Sequence, residues 1–371
     1  MLNSFKKIYI TFFFILVFFL DLLLTFVYNK INIYLFAKNS YMVNHDTYHH
    51  EIKKNYYGKG HLEEIIKSDK YGLIILNNSS RYKLNNPENI IFMGDSFTQG
   101  AGIEYEKTFS GIITSYYKSY NIDVINMSAV SYSPSIHYTK FKYFVENYDL
   151  KFDKIFVFLD ISDPYDELYR YEVKYKKVVS KKNYKNPFVN SIYEKIEYNL
   201  KKFISKNTTV MYFLTNIVYD LIYPKNKSQE EFTNKYGFII NHQANFWTYN
   251  DNYYKREGYK GVQLCKDYLI NLKKLMKKVN PNAKLTIVIY PWPGQIYRND
   301  NNYLQRKIWG EWSKINNIDF IDLTSVFLPI KKIDEDKRLS IIDTYFLPQD
   351  MHFNALGHSK FSKELLKNIN K

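Results

Sequence analysis

The sequence predicts an α/β fold in which a parallel β-sheet is covered by helices on both faces. From residue 89 onward, short apolar segments alternate with segments whose apolar residues recur at helical spacing. This alternation is typical of parallel sheets, because two parallel neighbours need a crossover connection between them. The length of 371 residues and the hydrophobic content of 46% are sufficient for a large core.

The predicted elements follow one another in a regular order. Strands are expected at IIFM (90–93), DVINMS (123–128), KIFVFLD (154–160), KLTIVIY (284–290) and DFIDLT (319–324). Helices are expected around residues 108–120, 136–148, 261–279, 302–316 and 355–368. The strands are short and mostly apolar, as expected for strands that are buried on both faces. Cys265, the one cysteine, falls within a predicted helix and is expected to be buried there.

An apolar segment near the N-terminus predicts a membrane anchor over residues 1–30. Residues 8–29 read IYITFFFILVFFLDLLLTFVYN, and a helix of that length crosses a hydrocarbon core of about 30 Å. Its one charge, Asp21, costs about 3 kcal/mol at a helix centre, which the surrounding apolar residues can offset. Because no cleavage site of small residues follows, we favour an uncleaved anchor over a signal peptide. We expect a single-pass protein of the bacterial inner membrane, with its main domain periplasmic or extracellular.

Two further regions do not follow the strand–helix alternation. Residues 31–85 are polar and aromatic, and we expect a juxtamembrane stalk with one short strand at 71–76. Residues 164–260 are rich in tyrosine and lysine, and we predict a helical insertion there, within a domain that spans 86–371.

The charge of the chain limits the classes of partner. Lys and Arg total 52 against 37 Asp and Glu, and the net charge of +15 favours anionic partners such as acidic lipids or acidic glycans. Nucleic acid is not expected, because the basic residues are scattered lysines and no zinc-finger or RNA-recognition motif is present. His45, His49 and His50 lie close together, but no spacing directs several ligands to one face, so we expect no metal and no cofactor.

A serine follows the first predicted strand of the sheet. In NIIFMGDSFTQG (89–100), Ser96 comes directly after an apolar run and the pair Gly94-Asp95. Reactive groups in open parallel sheets gather just beyond the carboxyl ends of strands. The motif G-x-S-x-G is absent, which disfavours an α/β-hydrolase fold. A serine alone could equally cap a helix, so a catalytic role requires a base from elsewhere in the chain.

The best source of a base lies near the C-terminus. In FLPQDMHFNALGH (346–358), Asp350 and His352 are separated by one residue, in a predicted loop before the last helix. A carboxylate so placed can bind one imidazole nitrogen and leave the other for Ser96. His358 has no adjacent carboxylate, and we expect it to have a packing or surface role.

The segments FMGDSFTQGAGI and DMHFNALGH together resemble the SGNH, or GDSL-like, hydrolase superfamily. The resemblance covers residues 89–163 and 284–368. It implies a flavodoxin-like three-layer α/β/α sandwich, to which the N-terminal helix and the insertion predicted above are added. It also implies that Ser96 is the nucleophile, His352 the base and Asp350 the acid that orients the base.

The resemblance implies an oxyanion hole, although two motifs depart from the usual pattern. After a strand ending in Asn126, the superfamily has a glycine whose N–H binds the oxyanion, and here Ser128 and Ser131 follow instead. A backbone N–H survives such a substitution, so Ser131, or less readily Ser128, could donate together with Ser96.

The superfamily's third motif, Gly-x-Asn-Asp, reads DISD (160–163) in this chain. The hydroxyl of Ser162 would replace an amide donor there, and one such donor is worth about 3 kcal/mol. Asp160 would oppose an oxyanion unless it is held aside or neutralised. Asp163, in the last position of this motif, is a candidate substrate-binding residue.

The segment VIYPWPGQI (288–296) resembles superfamily members that occur in gene sets for bacterial surface polysaccharides. Trp292 lies between two prolines at a strand end. It could stack on a sugar ring of the substrate or pack in the rim of the site.

These features predict a membrane-anchored serine esterase that removes acyl groups, acetyl above all, from an envelope glycan or a small ester. One alternative is an O-acyltransferase that passes the acyl group to a polysaccharide hydroxyl. The other is a non-catalytic glycan-binding or assembly protein that retains the fold.

Overall fold

The computed structural model describes most of the chain, which forms two units. The described residues are 40–60, 62–79, 81–181, 227–299, 304–328 and 332–369, together with 9, 11–13, 15–28, 208, 210 and 214. One unit comprises residues 1–40 and 185–232, and the larger one comprises residues 41–184 and 233–371.

The strands and helices have the following bounds. The strands are β1 (Met42–His45), β2 (His49–Ile52), β3 (Tyr57–Lys59), β4 (Ile65–Lys67), β5 (Ile90–Met93), β6 (Val124–Asn126), β7 (Lys154–Leu159), β8 (Tyr171–Lys174), β9 (Lys177–Ser180), β10 (Lys284–Ile289) and β11 (Asp319–Asp322). The helices are α1 (Thr11–Tyr28), α2 (Ser96–Gln99), α3 (Phe109–Lys118), α4 (Pro134–Asn147), α5 (Asp163–Tyr169), α6 (Lys227–Phe232), α7 (Phe238–Ile240), α8 (Asp251–Tyr253), α9 (Tyr259–Val279), α10 (Pro293–Arg298), α11 (Leu304–Ile315), α12 (Glu335–Tyr345) and α13 (Ala355–Ile369). Shorter 3₁₀ turns cover Tyr105–Lys107, Gln243–Thr248 and Thr324–Val326, and π-helical turns cover Thr233–Gly237 and Tyr254–Gly258.

A five-stranded sheet is the centre of the larger unit. Its order is β11-β10-β7-β5-β6, and every neighbouring pair is parallel. Renumbered along the chain, this order is 2-1-3-4-5, which is that of flavodoxin-like folds. The predicted flavodoxin-like sheet is therefore confirmed.

Helices cover both faces of this sheet. Right-handed crossovers place α3, between β5 and β6, on one face and α4, α9 and α11 on the other. Accordingly α3 packs against the C-terminal helix α13, while α9 packs against α4 and α5. The three-layer α/β/α architecture follows from these contacts.

The predicted elements of the sheet layer agree closely with the structure. Each of the five sheet strands begins at the predicted residue or at its neighbour, and the helices predicted around them are all present. Cys265 is buried in α9, as expected. The helix α12 was not predicted, because Ile342 is its one buried residue and its apolar periodicity is weak.

The expectation of a stalk over residues 31–85 is wrong for the described part of that segment. Residues 41–84 belong to the larger unit. They form two antiparallel hairpins, β1–β2 and β3–β4. The strand expected at 71–76 is reduced to an isolated bridge between Ser68 and Ile74.

The physical reason is that this segment contains many apolar and aromatic side chains. A stalk would leave them exposed to water, which costs about 25 cal/mol for each Å² of apolar surface. Instead they join residues of the α/β layer in one cluster. Its buried members include Tyr41, Tyr48, Ile52, Ile66, Ile74, Leu76, Tyr105, Ala129, Tyr132 and Ile136.

The predicted helical insertion over 164–260 is more varied than expected. It begins within α5, continues with the antiparallel hairpin β8–β9, and includes helical and π-helical turns between residues 227 and 258. Within this insertion the sequence also predicts one apolar helical segment, VMYFLTNIVYDLIY (210–223). It lies outside the described residues apart from Val210 and Leu214.

In the smaller unit, α1 is the one helix among the described residues that is long and apolar enough to cross a membrane, by length and composition. Its charged residue, Asp21, is buried. The carboxylate accepts hydrogen bonds from Thr25 Oγ1 at 3.3 Å and from Val210 N at 3.1 Å. These donors add to the apolar surroundings that were expected to offset its charge.

Candidate active site

Ser96 lies at the point where β5 leaves the sheet. It is the first residue of α2, and Asp95 caps this helix by accepting a hydrogen bond from Phe97 N at 3.0 Å. The turn requires Gly94, because a Cβ at that position would collide with the Thr98 side chain. Ser96 is therefore at the edge of the sheet where open α/β folds bind their ligands.

His352 lies in the loop between α12 and α13. Leu347 N donates to His352 O at 2.9 Å, and Phe346 forms an isolated antiparallel bridge with Phe353. Phe353 is fully buried, and its ring centroid lies 5.2 Å from that of Phe97 in α2. The loop is thus fixed on both sides of His352 and packs against the helix that carries Ser96.

The structure brings Ser96, His352 and Asp350 together. His352 Nε2 is 2.7 Å from Ser96 Oγ, and His352 Nδ1 is 2.5 Å from Asp350 Oδ1. The same carboxylate oxygen accepts a hydrogen bond from His352 N at 2.9 Å. When Nδ1–H donates to the carboxylate, the lone pair on Nε2 faces the serine hydroxyl. This arrangement is suited to removing the hydroxyl proton.

Two carboxyl groups at this site, those of Asp350 and Asp95, have pKa values shifted in opposite directions. Burial raises the pKa of Asp350, but hydrogen bonds and charge from His352 outweigh it, so the pKa lies below its ordinary value. Burial, and after it the charge of Asp160, raises the pKa of Asp95 well above the usual range. Asp350 is therefore ionised and can stabilise an imidazolium. Asp95 Oδ2 accepts a hydrogen bond from Ser96 Oγ at 3.3 Å, but its raised pKa favours the neutral form, which is not a base.

The backbone N–H groups of Ser96 and Ser131 are candidates to bind an oxyanion. Among the described residues, neither Ser96 N nor Ser131 N has a hydrogen-bond acceptor. Ser131 has a φ of 60°, in the left-handed region that favours glycine and costs other residues about 1 kcal/mol. Ser128 is unavailable, because its N–H and its hydroxyl both donate to Asn126 Oδ1. Of the two serines considered, only Ser131 keeps a donor for this purpose.

The peptide that carries Ser131 N–H is held at its carbonyl. Val130 O accepts from His50 Nε2 at 2.8 Å, and Val130 N donates to Gln99 Oε1 at 2.9 Å. Because the C=O and N–H of one trans peptide point in opposite directions, the bond from His50 sets the direction of Ser131 N–H. The bond joins residues 80 positions apart, so no local pattern in the sequence indicates it.

A chain of hydrogen bonds continues from His50 through His49. His50 Nδ1 is 2.7 Å from His49 Nδ1, and His49 Nε2 is 2.7 Å from Ser180 Oγ. His50 Nε2 must donate to Val130 O, so in the neutral ring Nδ1 accepts, His49 Nδ1 donates, and His49 Nε2 accepts from Ser180. Burial lowers the pKa of both rings, that of His50 to about 4, so both are neutral near pH 7.

Asp160 is held aside rather than directed at an oxyanion. Its Oδ2 accepts from Tyr290 OH at 3.0 Å and Trp292 Nε1 at 2.8 Å. Its Oδ1 accepts from Ser162 N and Ser162 Oγ, both at 2.7 Å. The one hydroxyl proton of Ser162 is therefore directed at Asp160, and Ser162 does not offer the oxyanion donor expected of it.

The two candidate substrate-binding residues are both buried, and for Trp292 this agrees with the second of its two expected placements, packing in the rim. Trp292 is 2% exposed, and its ring stacks near Phe97 instead of offering a face to a sugar. Asp163 is buried, and its Oδ2 accepts from Asp160 N at 2.9 Å. Burial raises the pKa of Asp163 well above the usual range. Both residues therefore support the loop after β7.

Other histidines have structural roles or no hydrogen-bond partner. His358 is buried, and its Nδ1 accepts from Phe109 N at 3.2 Å. Burial lowers its pKa to about 3, so the ring stays neutral. His242 Nδ1 accepts from Ala244 N at 3.3 Å. Neither ring nitrogen of His137, which is buried in α4, has a partner among the described residues.

Three further residues belong to this site but were not predicted from sequence: Gln99, His50 and Tyr290. Gln99 and His50 act on a loop that is distant in sequence, and no pattern pointed to them. Tyr290 directly follows β10, so the rule that carboxyl strand ends share one edge could have identified it. No group of three or more His, Cys, Asp or Glu among the described residues is arranged to hold a metal ion.

The chain is similar to several solved structures. No protein-family profile and no curated protein matches this chain. Similar solved structures include a member of the lipolytic G-D-S-L family from Veillonella parvula, a psychrotrophic esterase from Pseudoalteromonas sp. and an acetylxylan esterase from Geobacillus stearothermophilus. Their identities are 10%, 11% and 12%, with TM-scores of 0.37, 0.37 and 0.39. The matches cover 76%, 76% and 78% of this chain and 97% of each of those chains.

Proposed function

We propose that this protein is an SGNH-type serine esterase that removes acyl groups, acetyl above all, from an acylated glycan. The observation that carries the proposal is the continuous hydrogen-bonded series from Asp350 through His352 to Ser96, with contacts of 2.5 and 2.7 Å. Three side chains in this order are the arrangement needed to activate a serine hydroxyl.

The proposed reaction proceeds through an acyl-enzyme. Ser96 Oγ attacks the ester carbonyl while His352 Nε2 takes its proton, and Asp350 stabilises the resulting imidazolium. Ser96 N–H and Ser131 N–H donate to the oxyanion of the tetrahedral intermediate. Its collapse expels the sugar hydroxyl, which receives the proton from His352. Water, activated by the same imidazole, then releases the acyl group as a carboxylic acid.

We further propose that α1 anchors the enzyme in a membrane as a single-pass helix, with the larger unit periplasmic or extracellular. The length and apolar composition of Thr11–Tyr28 support this location. An envelope glycan would be within reach of an enzyme held in this way.

Labelling with a fluorophosphonate tests the proposal on the full-length protein in detergent. We expect labelling of the wild type, none in Ser96→Ala, and a rate at least 100-fold lower in His352→Ala, since an unassisted hydroxyl is a weak nucleophile. Ser115→Ala changes an exposed serine on α3 and should label like the wild type. A wild type that is not labelled would favour the non-catalytic binding protein.

The fate of the acyl group separates hydrolysis from transfer. A chromogenic acetyl ester is supplied with and without an oligosaccharide acceptor, and released acetate is measured beside acetylated sugar. We expect acetate in both reactions. Acetyl groups recovered on the oligosaccharide, with little acetate, would replace esterase activity with O-acyltransfer.

A further inference from the structure

A cleft of about 370 Å³ lies beside the loop that carries Ser131. This volume is within the range of small-ligand sites. The residues that line it all belong to the larger unit. They come from the start of β2, from α5, from the hairpin β8–β9 and the residue after it, and from the turn that contains Gln243. Its lining residues are His49, Tyr165, Tyr169, Arg170, Tyr171, Ser180, Lys181 and Gln243.

Two cations line this cleft. Lys181 Nζ donates to the carbonyls of Glu167 and Leu168 at 2.9 and 2.7 Å. Among the described residues, no carboxylate lies within ion-pair distance of this ammonium, and the charges of Glu167 and Glu172 act on it only from farther away. A positive charge held in place by backbone carbonyls is suited to binding an anion.

The second cation, Arg170, is paired with a buried carboxyl. Arg170 Nε is 3.1 Å from Asp166 Oδ1. Burial raises the pKa of Asp166 to about 7, which weakens its compensation of the Arg170 charge. Among the described residues, the two cations of the cleft therefore have one carboxyl at ion-pair distance.

Aromatic rings form the rest of the wall, and hydrogen bonds fix them. Gln243 Nε2 donates to Tyr165 OH at 2.6 Å, and the rings of Tyr165 and Tyr169 lie 4.9 Å apart. The ring of Tyr171 lies 5.0 Å from that of His49. Rigid aromatic side chains offer large contact area at a low entropy cost, and their faces suit the C–H surfaces of sugar rings.

The cleft reaches the proposed oxyanion donor through two contacts. Tyr171 OH donates to Ser131 O at 2.9 Å, and Arg170 Nη1 donates to Ser131 Oγ at 3.4 Å. A ligand in the cleft would therefore lie next to Ser131, whose N–H is proposed to donate to the ester carbonyl oxygen. A sugar whose ester is bound at Ser96 would extend toward this cleft.

We propose that this cleft binds a sugar residue carrying a carboxylate, so that the substrate is an acylated acidic glycan. This inference rests on the proposed function, since the cleft is assigned to the same substrate. The carboxylate would accept hydrogen bonds from Arg170 and Lys181, and the sugar ring would pack on the tyrosines. A neutral glycan would leave Lys181 without an anionic partner at ion-pair distance among the described residues.

Binding to the full-length Ser96→Ala protein in detergent, measured by calorimetry, tests the inference without turnover. The ligands are a galacturonate hexamer and its carboxyl-reduced, neutral counterpart. We expect the acidic hexamer to bind at least tenfold more tightly, as a charge-assisted hydrogen bond predicts. Adding Lys181→Gln should weaken acidic binding about tenfold and leave neutral binding unchanged. The glutamine amide can still donate to the two carbonyls, so the fold should be retained.

The matched control is Lys177→Gln, an exposed lysine of β9 that does not line the cleft. It should not change the affinity for either hexamer. Equal affinity for the two hexamers would overturn the inference. An equal loss in the Lys177 and Lys181 variants would also overturn it, since general attraction by the net charge of +15 would then explain the binding.

The two proposals fail separately. Labelling of Ser96 by fluorophosphonate without a preference for the acidic hexamer would remove the cleft assignment and leave the esterase. A preference for the acidic hexamer without any labelling of the wild type would leave a binding protein for acidic glycans.

Discussion

At the scale of single residues, the site depends on which nitrogen of His352 carries the proton. Asp350 Oδ1 accepts from both His352 N and His352 Nδ1, so one short loop holds the ring and its orienting acid together. Asp95 is closer to Ser96 in sequence, but burial raises its pKa well above the usual range and favours its neutral form. In the proposed mechanism His352 is the base and Asp350 orients it.

Asp350→Asn should lower kcat by 10³–10⁴-fold, because an amide can donate to Nδ1 and so favour the wrong tautomer. Steady-state hydrolysis of a chromogenic acetyl ester measures this loss. The control Asp336→Asn removes an exposed carboxyl at the start of α12 and should leave kcat unchanged. A decrease of less than tenfold for Asp350→Asn would mean that this carboxylate does not orient the base.

Asp350 should also make stability depend on pH. Its folded-state pKa lies below the ordinary 3.8, so the ionised group stabilises the fold above that pH, and this contribution is lost as the pH falls through the folded value. Urea unfolding between pH 3 and pH 7 measures it. The quantity of interest is the unfolding free energy of the wild type minus that of Asp350→Asn. This difference should be constant above about pH 5 and should shrink below pH 3.8. A difference that grows on acidification contradicts the proposed ion pair.

His50 should act as a positioning residue for the oxyanion donor. His50→Leu removes the donor to Val130 O and should lower kcat about tenfold or more with KM little changed, since one oxyanion donor is worth 10²–10³ in rate. His50→Gln keeps an N–H that can reach the carbonyl and should recover part of kcat. A purely structural role would not distinguish Leu from Gln in this way.

The control for this pair is His137→Leu, since His137 is a buried histidine without a hydrogen-bond partner among the described residues. It should leave both kcat and KM unchanged. If all three variants lose kcat equally, general destabilisation and not the Val130 peptide is the cause.

At the scale of elements, the loop that carries Asp160 and Ser162 depends on how closely α9 approaches α5. At Gly261 in α9, a Cβ would collide with Pro164 O in the first turn of α5. This close approach fixes the start of α5 directly after Ser162. The pair of helices thus sets the shape of one wall of the site.

Gly261→Ala should therefore destabilise the protein by about 2 kcal/mol, because neither backbone can yield without moving an entire helix. Thermal or urea unfolding measures this change. Gly310→Ala in α11 is the matched control, since its Cβ would lie 3.4 Å from the nearest atom, Phe320 Cε1. It should be neutral or should raise stability by up to about 1 kcal/mol through helix propensity. Equal effects at both positions would show that backbone contact is not the cause.

At the scale of the whole molecule, the N-terminal hairpins belong to the core of the larger unit. Residues 41–84 contribute Tyr41, Tyr48 and Ile52 to the buried cluster, and His50 reaches the peptide of Ser131. The boundary expected at residue 86 therefore cuts through a packed interior. The boundary near residue 40 does not, since the larger unit begins there.

A chain that begins at residue 40 should fold, whereas one that begins at residue 86 should aggregate or lose its cooperative thermal transition. The second chain loses much of a buried cluster, and total stabilities are only about 5–15 kcal/mol. Circular dichroism during heating and size-exclusion chromatography measure the outcome. A cooperative transition at an unchanged temperature for the shorter chain would restore the stalk interpretation.

Much of the α/β layer could be predicted from local pattern, because each sheet strand is an apolar run and each covering helix has an apolar stripe. Ser96, Asp350 and His352 were also accessible, since they lie beside such elements in recognisable segments. The hairpins of residues 41–84 could not be predicted in this way. Their strands are short and mixed in polarity, and only the surface they cover explains their burial.

The sequence by itself determined the alternation of strands and helices, the apolar helix near the N-terminus and the serine, aspartate and histidine of the candidate triad. These depend on residue type and on spacing over a few turns of chain. Only the tertiary structure decided that Asp160 is held by Tyr290, Trp292 and Ser162, that His50 orients the Ser131 peptide, and that a cleft lined by two cations lies beside it. Apart from the contact between Asp160 and Ser162, these features join segments distant in sequence. Such contacts arise from packing, which local periodicity does not encode.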